Sequence, residues 1–122
     1  MVYNPESIEI SLKLSPGIVE PGKIVAVDDG KVKDFLANPD HEKWQKNKDS
    51  PAINVTVECD HNGIKYQDSK MFLYTEKNGK TMFTENSNLG KFTAYYEGKA
   101  PKVGNLAQMK TNKDGYFRLV IE

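Results

Sequence analysis

The sequence predicts an all-β domain with one short helix, built as a five-stranded Greek-key barrel with an extra amino-terminal strand. Three observations predict it. Residues 52–59 alternate Ile53, Val55, Val57 and Cys59 with Asn54, Thr56 and Glu58, the period of a half-buried strand. Asn62-Gly63 and Asn78-Gly79 supply residues that tolerate positive φ, as tight hairpin turns demand. Leu89, Phe92 and Tyr96 recur at helical spacing behind Asn86-Ser87, which places one short helix between two groups of strands.

Taken in order, Ile8, Ile10, Leu12 and Leu14 alternate with Ser7, Glu9, Ser11 and Lys13, so residues 1–20 read as an amino-terminal strand extension ended by Pro16-Gly17. A strand over residues 23–27 follows Pro21-Gly22 and stops at Asp28-Asp29-Gly30-Lys31, a turn-forming cluster. Residues 32–36 resume an extended segment. Residues 37–50 turn polar, with Asn38-Pro39-Asp40 as a helix start and Trp44 the only large apolar residue nearby; a long loop carrying a short helix is expected. Pro51 introduces the next strand, whose Ile53, Val55, Val57 and Cys59 should face the core. Residues 64–75 form its return strand, and Asn78-Gly79 joins 71–74 to 81–84, giving a three-stranded meander. A helix over residues 87–96 ends near Gly98. Asn112-Lys113-Asp114-Gly115 then turns Leu106-Ala107-Gln108-Met109-Lys110 into a last strand that directs Phe117, Leu119 and Ile121 inward.

Strands, a hairpin, one helix and a closing hairpin is the element order of the OB fold, whose helix lies between the third and fourth strands. An SH3-like barrel or an open α+β roll would also hide strand edges, but neither requires a helix there. From Pro51 onward the run of signals, with phrases such as Asn86-Ser87-Asn88-Leu89-Gly90-Lys91-Phe92 and Pro101-Lys102-Val103-Gly104, resembles small OB-type proteins of archaea, their viruses and phages. Several of those proteins bind single-stranded DNA, which is what the resemblance implies for this chain.

A length of 122 residues suits one domain, residues 1–122, and 38% hydrophobic with 28% charged residues suits a folded chain. Seventeen basic residues balance seventeen acidic ones, and Arg118 is the only arginine. That counts against duplex readout, which leans on bidentate arginines and a basic excess, but not against stacking on single strands. With Cys59 as the sole cysteine there is no intrachain disulfide, so a reducing, intracellular compartment is expected. Residues 1–6 lack the marks of a signal peptide and no apolar run approaches the ~18 residues of a membrane helix, so the expectation is a soluble, cytoplasmic protein. Asn54-Val55-Thr56 matches a glycosylation acceptor but reads as ordinary strand.

Lys70-Met71-Phe72-Leu73-Tyr74 holds the most information about a site. Either Met71 and Leu73 fill the barrel, or Phe72 and Tyr74 do. In the first case Lys70, Phe72 and Tyr74 line the outer face, where bases stack on aromatics and lysine meets phosphate. In the second, Phe72 is buried under the amino-terminal strand. Asn54 and Thr56 share the outer face with acidic Glu58, and Lys65 and Tyr66 extend it. Trp44, among Lys43, Lys46 and Lys48, either stacks a base on a flap or anchors the loop. The expected nucleic-acid site is therefore Trp44, Asn54, Thr56, Lys65, Tyr66, Lys70, Phe72 and Tyr74.

Cys59, His41 and His61 fall short of a closed zinc set, and Asp28-Asp29 or Asp40 with Glu42 have structural explanations. With no Gly-rich phosphate loop or nucleophile elbow, no metal, cofactor or catalysis is expected. The expected function is single-stranded DNA or RNA binding in replication, recombination or repair. The alternative is a protein-interaction or assembly module, such as a viral or phage structural or accessory component, whose partner is another protein or a second copy of the chain.

Overall fold

β1 (Val19–Lys31) is the spine of the barrel, because both of its neighbours pair with it antiparallel. Its first five residues pair with β6 (Leu106–Thr111), and from Gly22 onward it pairs with β2 (Pro51–His61). Gly22 lies where both neighbours crowd in: a Cβ there would come within 2.9 Å of Val57 Cγ1 and 3.2 Å of the Glu58 carbonyl oxygen. A bulge between Ile24 and Ala26 bends the strand, as barrel closure needs. The computed structural model describes residues 13–121. The strand expected at residues 8–14 lies outside them except for Lys13 and Leu14, which are irregular.

β3 (Ile64–Leu73) pairs with β2, and β7 (Phe117–Leu119) pairs with β6, giving the order β3-β2-β1-β6-β7. The free edges of β3 and β7 approach each other, so the sheet curls into a nearly closed five-stranded antiparallel barrel. This is an OB-type barrel, with α1 (Asn88–Ala94) between its third and fourth strands. Both Asn-Gly steps turn as expected: Asn62 and Gly63 have φ of 53° and 81°, and Asn78 and Gly79 of 53° and 74°.

Three local expectations are corrected. Asp28-Asp29-Gly30-Lys31 is not a turn: it continues β1, paired residue by residue with Asn54 through Pro51, and long-range pairing overrides the local turn chemistry. Residues 32–35 are not extended but form a 3₁₀ turn, because the Asp34 carboxylate accepts the Lys31 N–H at 2.8 Å. The meander has two strands in the barrel, not three. β3 ends at Leu73, since its partner strand begins at Pro51, which has no N–H to extend the ladder. β4 (Thr75–Lys77) and β5 (Lys80–Met82) form a separate two-stranded ribbon. The loop helix is a 3₁₀ turn over Glu42–Trp44, started by His41, whose Nδ1 accepts the Lys43 N–H.

The core joins Ile24, Val55, Val57, Met109, Phe117 and Leu119 from the strands to Leu89 and Phe92 from α1. Ile53 and Ile121 pack against it half-buried rather than fully buried. α1 is fixed at its start by Ser87, whose hydroxyl accepts the Gly90 N–H at 3.0 Å. It plugs one end of the barrel by laying Phe92 on Phe72, ring centroids 5.0 Å apart and planes within 5°. Among the described residues no helix is long and apolar enough to cross a membrane.

Candidate nucleic-acid interface

The β2–β3 register fixes which side chains face outward. Asn54 pairs with Met71, Thr56 with Ser69, Glu58 with Gln67 and Asp60 with Lys65, and these pairs form the outer face. The face is polar and largely self-satisfied. Thr56 and Ser69 hydroxyls lie 2.9 Å apart, the Gln67 amide donates to Glu58 at 2.8 Å, and Lys65 Nζ lies 3.5 Å from the other Glu58 oxygen. The Gln67 hydrogen bond, with Lys65 beside it, holds the Glu58 carboxyl below its ordinary value. Glu58 thus claims Lys65, which was expected to extend the platform.

Phe72 belongs to the inward set. It is 1% exposed and stacked on Phe92 of α1, so it offers no surface to a base; the amino-terminal strand expected to cover it lies outside the described residues except for Lys13 and Leu14. Lys70 and Tyr66 share its side of β3, paired with Val55 and Cys59. The outward residues at this end are Met71 and Leu73.

β3 opens into a groove at each end. At the seam with β7 lies a cavity of about 680 Å³, with Tyr66 and Gln67 on one wall, Tyr116 and Arg118 on the other, and Lys13-Leu14 completing it. Tyr66 packs its ring against Phe117 at 5.0 Å. The turn before β7 is rigid, since Asn112 Oδ1 accepts the N–H groups of Asp114 and Tyr116, both at 3.0 Å. Gly115 has φ +82°, and a Cβ there would lie 2.6 Å from the Leu14 carbonyl oxygen, so glycine is required both for the turn and for the close approach. The result holds Tyr116 out in solvent, 64% exposed, with the Arg118 guanidinium 5.8 Å from its ring.

The second groove, about 410 Å³, lies between the loop of residues 37–50 and the β4–β5 ribbon. Leu73, Tyr74, Met82 and Phe83 give it an apolar lining, with Asn47 and Ser50 at its rim. Phe83 is 40% exposed. Tyr74 is fixed by donating its hydroxyl to Asp29 Oδ1 at 2.7 Å, and that hydrogen bond, aided by burial and the carboxylate charge, pushes its pKa up to about 12.

Of the eight expected residues, Asn54, Thr56 and Lys65 lie on the outer face, and Tyr66 and Tyr74 each line one end groove. Lys70 and Phe72 point inward. Trp44 is half-buried on the loop, with Lys43 Nζ 5.0 Å from its ring, its carbonyl accepts the N–H groups of Asn47 and Lys48, and it does not line the groove. Three residues at the grooves were not expected from sequence: Tyr116, Arg118 and Phe83. Tyr116 had a signal, an aromatic directly after a turn in a loop OB barrels use for ligands. Among the described residues no cluster of His, Cys, Asp or Glu could hold a metal ion. No family model matches the chain, and neither a curated protein nor a solved structure matches it.

Proposed function

We propose that the protein binds single-stranded nucleic acid laid along β3, with a base stacked in the groove at each end. The carrying observation is that one strand of an OB-type barrel joins two open grooves, each edged by an exposed aromatic, Tyr116 at one and Phe83 at the other. OB folds take oligonucleotides on the face of their second and third strands and on the flanking loops, which is where these grooves lie. Seven steps of extended chain separate Tyr66 from Leu73, roughly 23 Å. That span suits a few nucleotides, the short end of the ~4–16 that an OB fold covers.

Between the grooves, Asn54, Thr56 and Ser69 present hydrogen-bonding groups, with Met71 beside them as an apolar surface. Such a floor tolerates any base, which favours sequence-independent binding in replication, recombination or repair. The phosphate contribution is small, because Lys65 is engaged by Glu58 and Arg118 Nη1 by Asp68. Titrating a fluorescent oligo(dT) at low and high salt tests the reading. Binding with a shallow salt slope, about 0.7 per phosphate contacted on a single strand, is the expected result. No binding at low salt removes this function and leaves the protein-interaction reading in its place.

A further inference from the structure

Between α1 and β6, large apolar side chains are left to solvent beside a local excess of lysine. Leu106 is 75% exposed, Val103 64% and Tyr95 53%. Tyr95 and Leu106 line one cleft because β6 outruns β7: Leu106 and Ala107 pair with β1, whereas pairing with β7 begins only at Met109. Beyond the end of β7 a cleft of about 260 Å³ opens between β6 and α1, floored by Phe92, Ala107 and Val120 and walled by Tyr95 and Leu106. A second lobe of about 370 Å³ shares Tyr95 and Tyr96 with it and is walled by Lys99 and Lys102, with Glu97 as its one acidic residue. From Asn88 to Lys110 the chain carries four lysines against the single Glu97, although the whole protein is formally neutral.

We infer that this cleft docks an acidic peptide segment bearing one large apolar side chain, the side chain entering the first lobe and the acidic residues meeting Lys99 and Lys102. The first lobe is smaller than the ~300–1,000 Å³ of sites for whole small ligands, and one leucine or phenylalanine side chain fits it. Its polar groups argue against a nucleobase. Tyr96 already donates its hydroxyl to the Leu106 carbonyl at 2.8 Å, so the Gln108 amide and the Tyr95 hydroxyl are left to meet the several donors and acceptors of a base edge. Burying such an edge without partners is costly, whereas an apolar side chain needs none. Charge complementarity selects the acidic flank. The loop that carries Lys102 is preorganised: its N–H donates to Asn105 Oδ1 at 2.7 Å, and Gly104 N–H donates to the Ile24 carbonyl at 2.8 Å.

The test uses a fluorescein-labelled octapeptide of aspartate and glutamate with one central phenylalanine, titrated into the full chain at low salt. Two control peptides replace the phenylalanine by serine, or every acid by its amide. The acidic aromatic peptide should bind, shift amide resonances within residues 92–108, and weaken about tenfold or more with Leu106→Ser, since truncating a central apolar anchor commonly costs that much. Lys99→Glu with Lys102→Glu should abolish binding, and both control peptides should fail. These three positions are exposed, so the variants keep the wild-type melting temperature and their oligo(dT) binding. The inference is overturned if the peptide does not bind, if Leu106→Ser leaves its affinity unchanged, or if oligo(dT) rather than peptide shifts the cleft resonances.

Discussion

The carboxylate of Asp68 spans the barrel seam: Oδ2 accepts the backbone N–H of Leu119 at 2.8 Å, and Oδ1 accepts Arg118 Nη1 at 3.1 Å. β3 and β7 are the two ends of the sheet order and share no ladder, so this side chain supplies a hydrogen bond where a ladder would close the barrel. Only 8% of it is exposed. Asp68→Ala leaves the Leu119 N–H unmet and should cost about 1–3 kcal/mol in urea unfolding. Asp68→Asn keeps one acceptor oxygen and should cost less. Equal midpoints for Asp68→Ala and wild type would mean that packing alone closes the seam.

Phe72 and Phe92 carry the contact between barrel and helix. Each truncation to Ala should cost about 3–5 kcal/mol, since each ring is fully buried in the core. The double mutant should show a coupling of about 0.5–1.5 kcal/mol from the stack. Loss of ligand binding in Phe72→Ala is then secondary to unfolding. If Phe72→Ala proved as stable as wild type, the inward placement of Phe72 would be wrong.

Why Phe72 could not be oriented from sequence is visible in its own neighbours. Met71 and Leu73 are as apolar as Phe72, so alternation specifies two faces without naming the inner one. The choice is made by Phe92, twenty residues further along. The turns were legible because their cause is local: Asn62-Gly63 and Asn78-Gly79 need positive φ whatever surrounds them. Asp28-Asp29-Gly30 has the same local chemistry, yet β2 pairs along it and Tyr74 binds Asp29, so distant partners prevail. The site was half legible for the same reason. Outer-face residues follow from the period of two, whereas Phe83 joins the groove only because the ribbon folds back toward the loop.

Gly90 reverses the usual helix preference. In an open helix Ala is favoured over Gly by about 1 kcal/mol. Here an added Cβ would meet the Thr84 carbonyl oxygen and lie 2.7 Å from that of Glu85, backbone that cannot rotate away. Gly90→Ala should therefore lower the melting temperature. A rise would show that α1 is not seated on residues 84–85.

Tyr74 predicts a pH limit. Its folded pKa, about 12, lies above the ordinary value of 10 because the hydroxyl is a donor to Asp29. The stabilisation is in full force below pH 10, where both states are protonated, and is lost as pH rises through 10 to 12, because the unfolded tyrosine ionises first. Absorbance titration at alkaline pH should show a late-ionising tyrosine that disappears in Tyr74→Phe and shifts toward the ordinary value in Asp29→Asn. A titration unchanged by Asp29→Asn would remove the hydrogen bond as the cause.

The last prediction separates the two end grooves. Tyr116 and Phe83 are exposed, so replacing either by Ala should leave melting unchanged and weaken oligo(dT) binding by about 1–3 kcal/mol, one stack each. The two losses should add in the double mutant, because the grooves stand roughly 23 Å apart along β3 and groups farther apart than about 10 Å rarely couple. Length of ligand then becomes a ruler. An oligonucleotide long enough to reach both grooves feels both substitutions. One too short to span β3 occupies a single groove, so one substitution weakens it and the other does not. If both substitutions weaken a dinucleotide equally, the path along β3 is wrong, and if neither weakens a long oligonucleotide, the strand binds elsewhere on the protein.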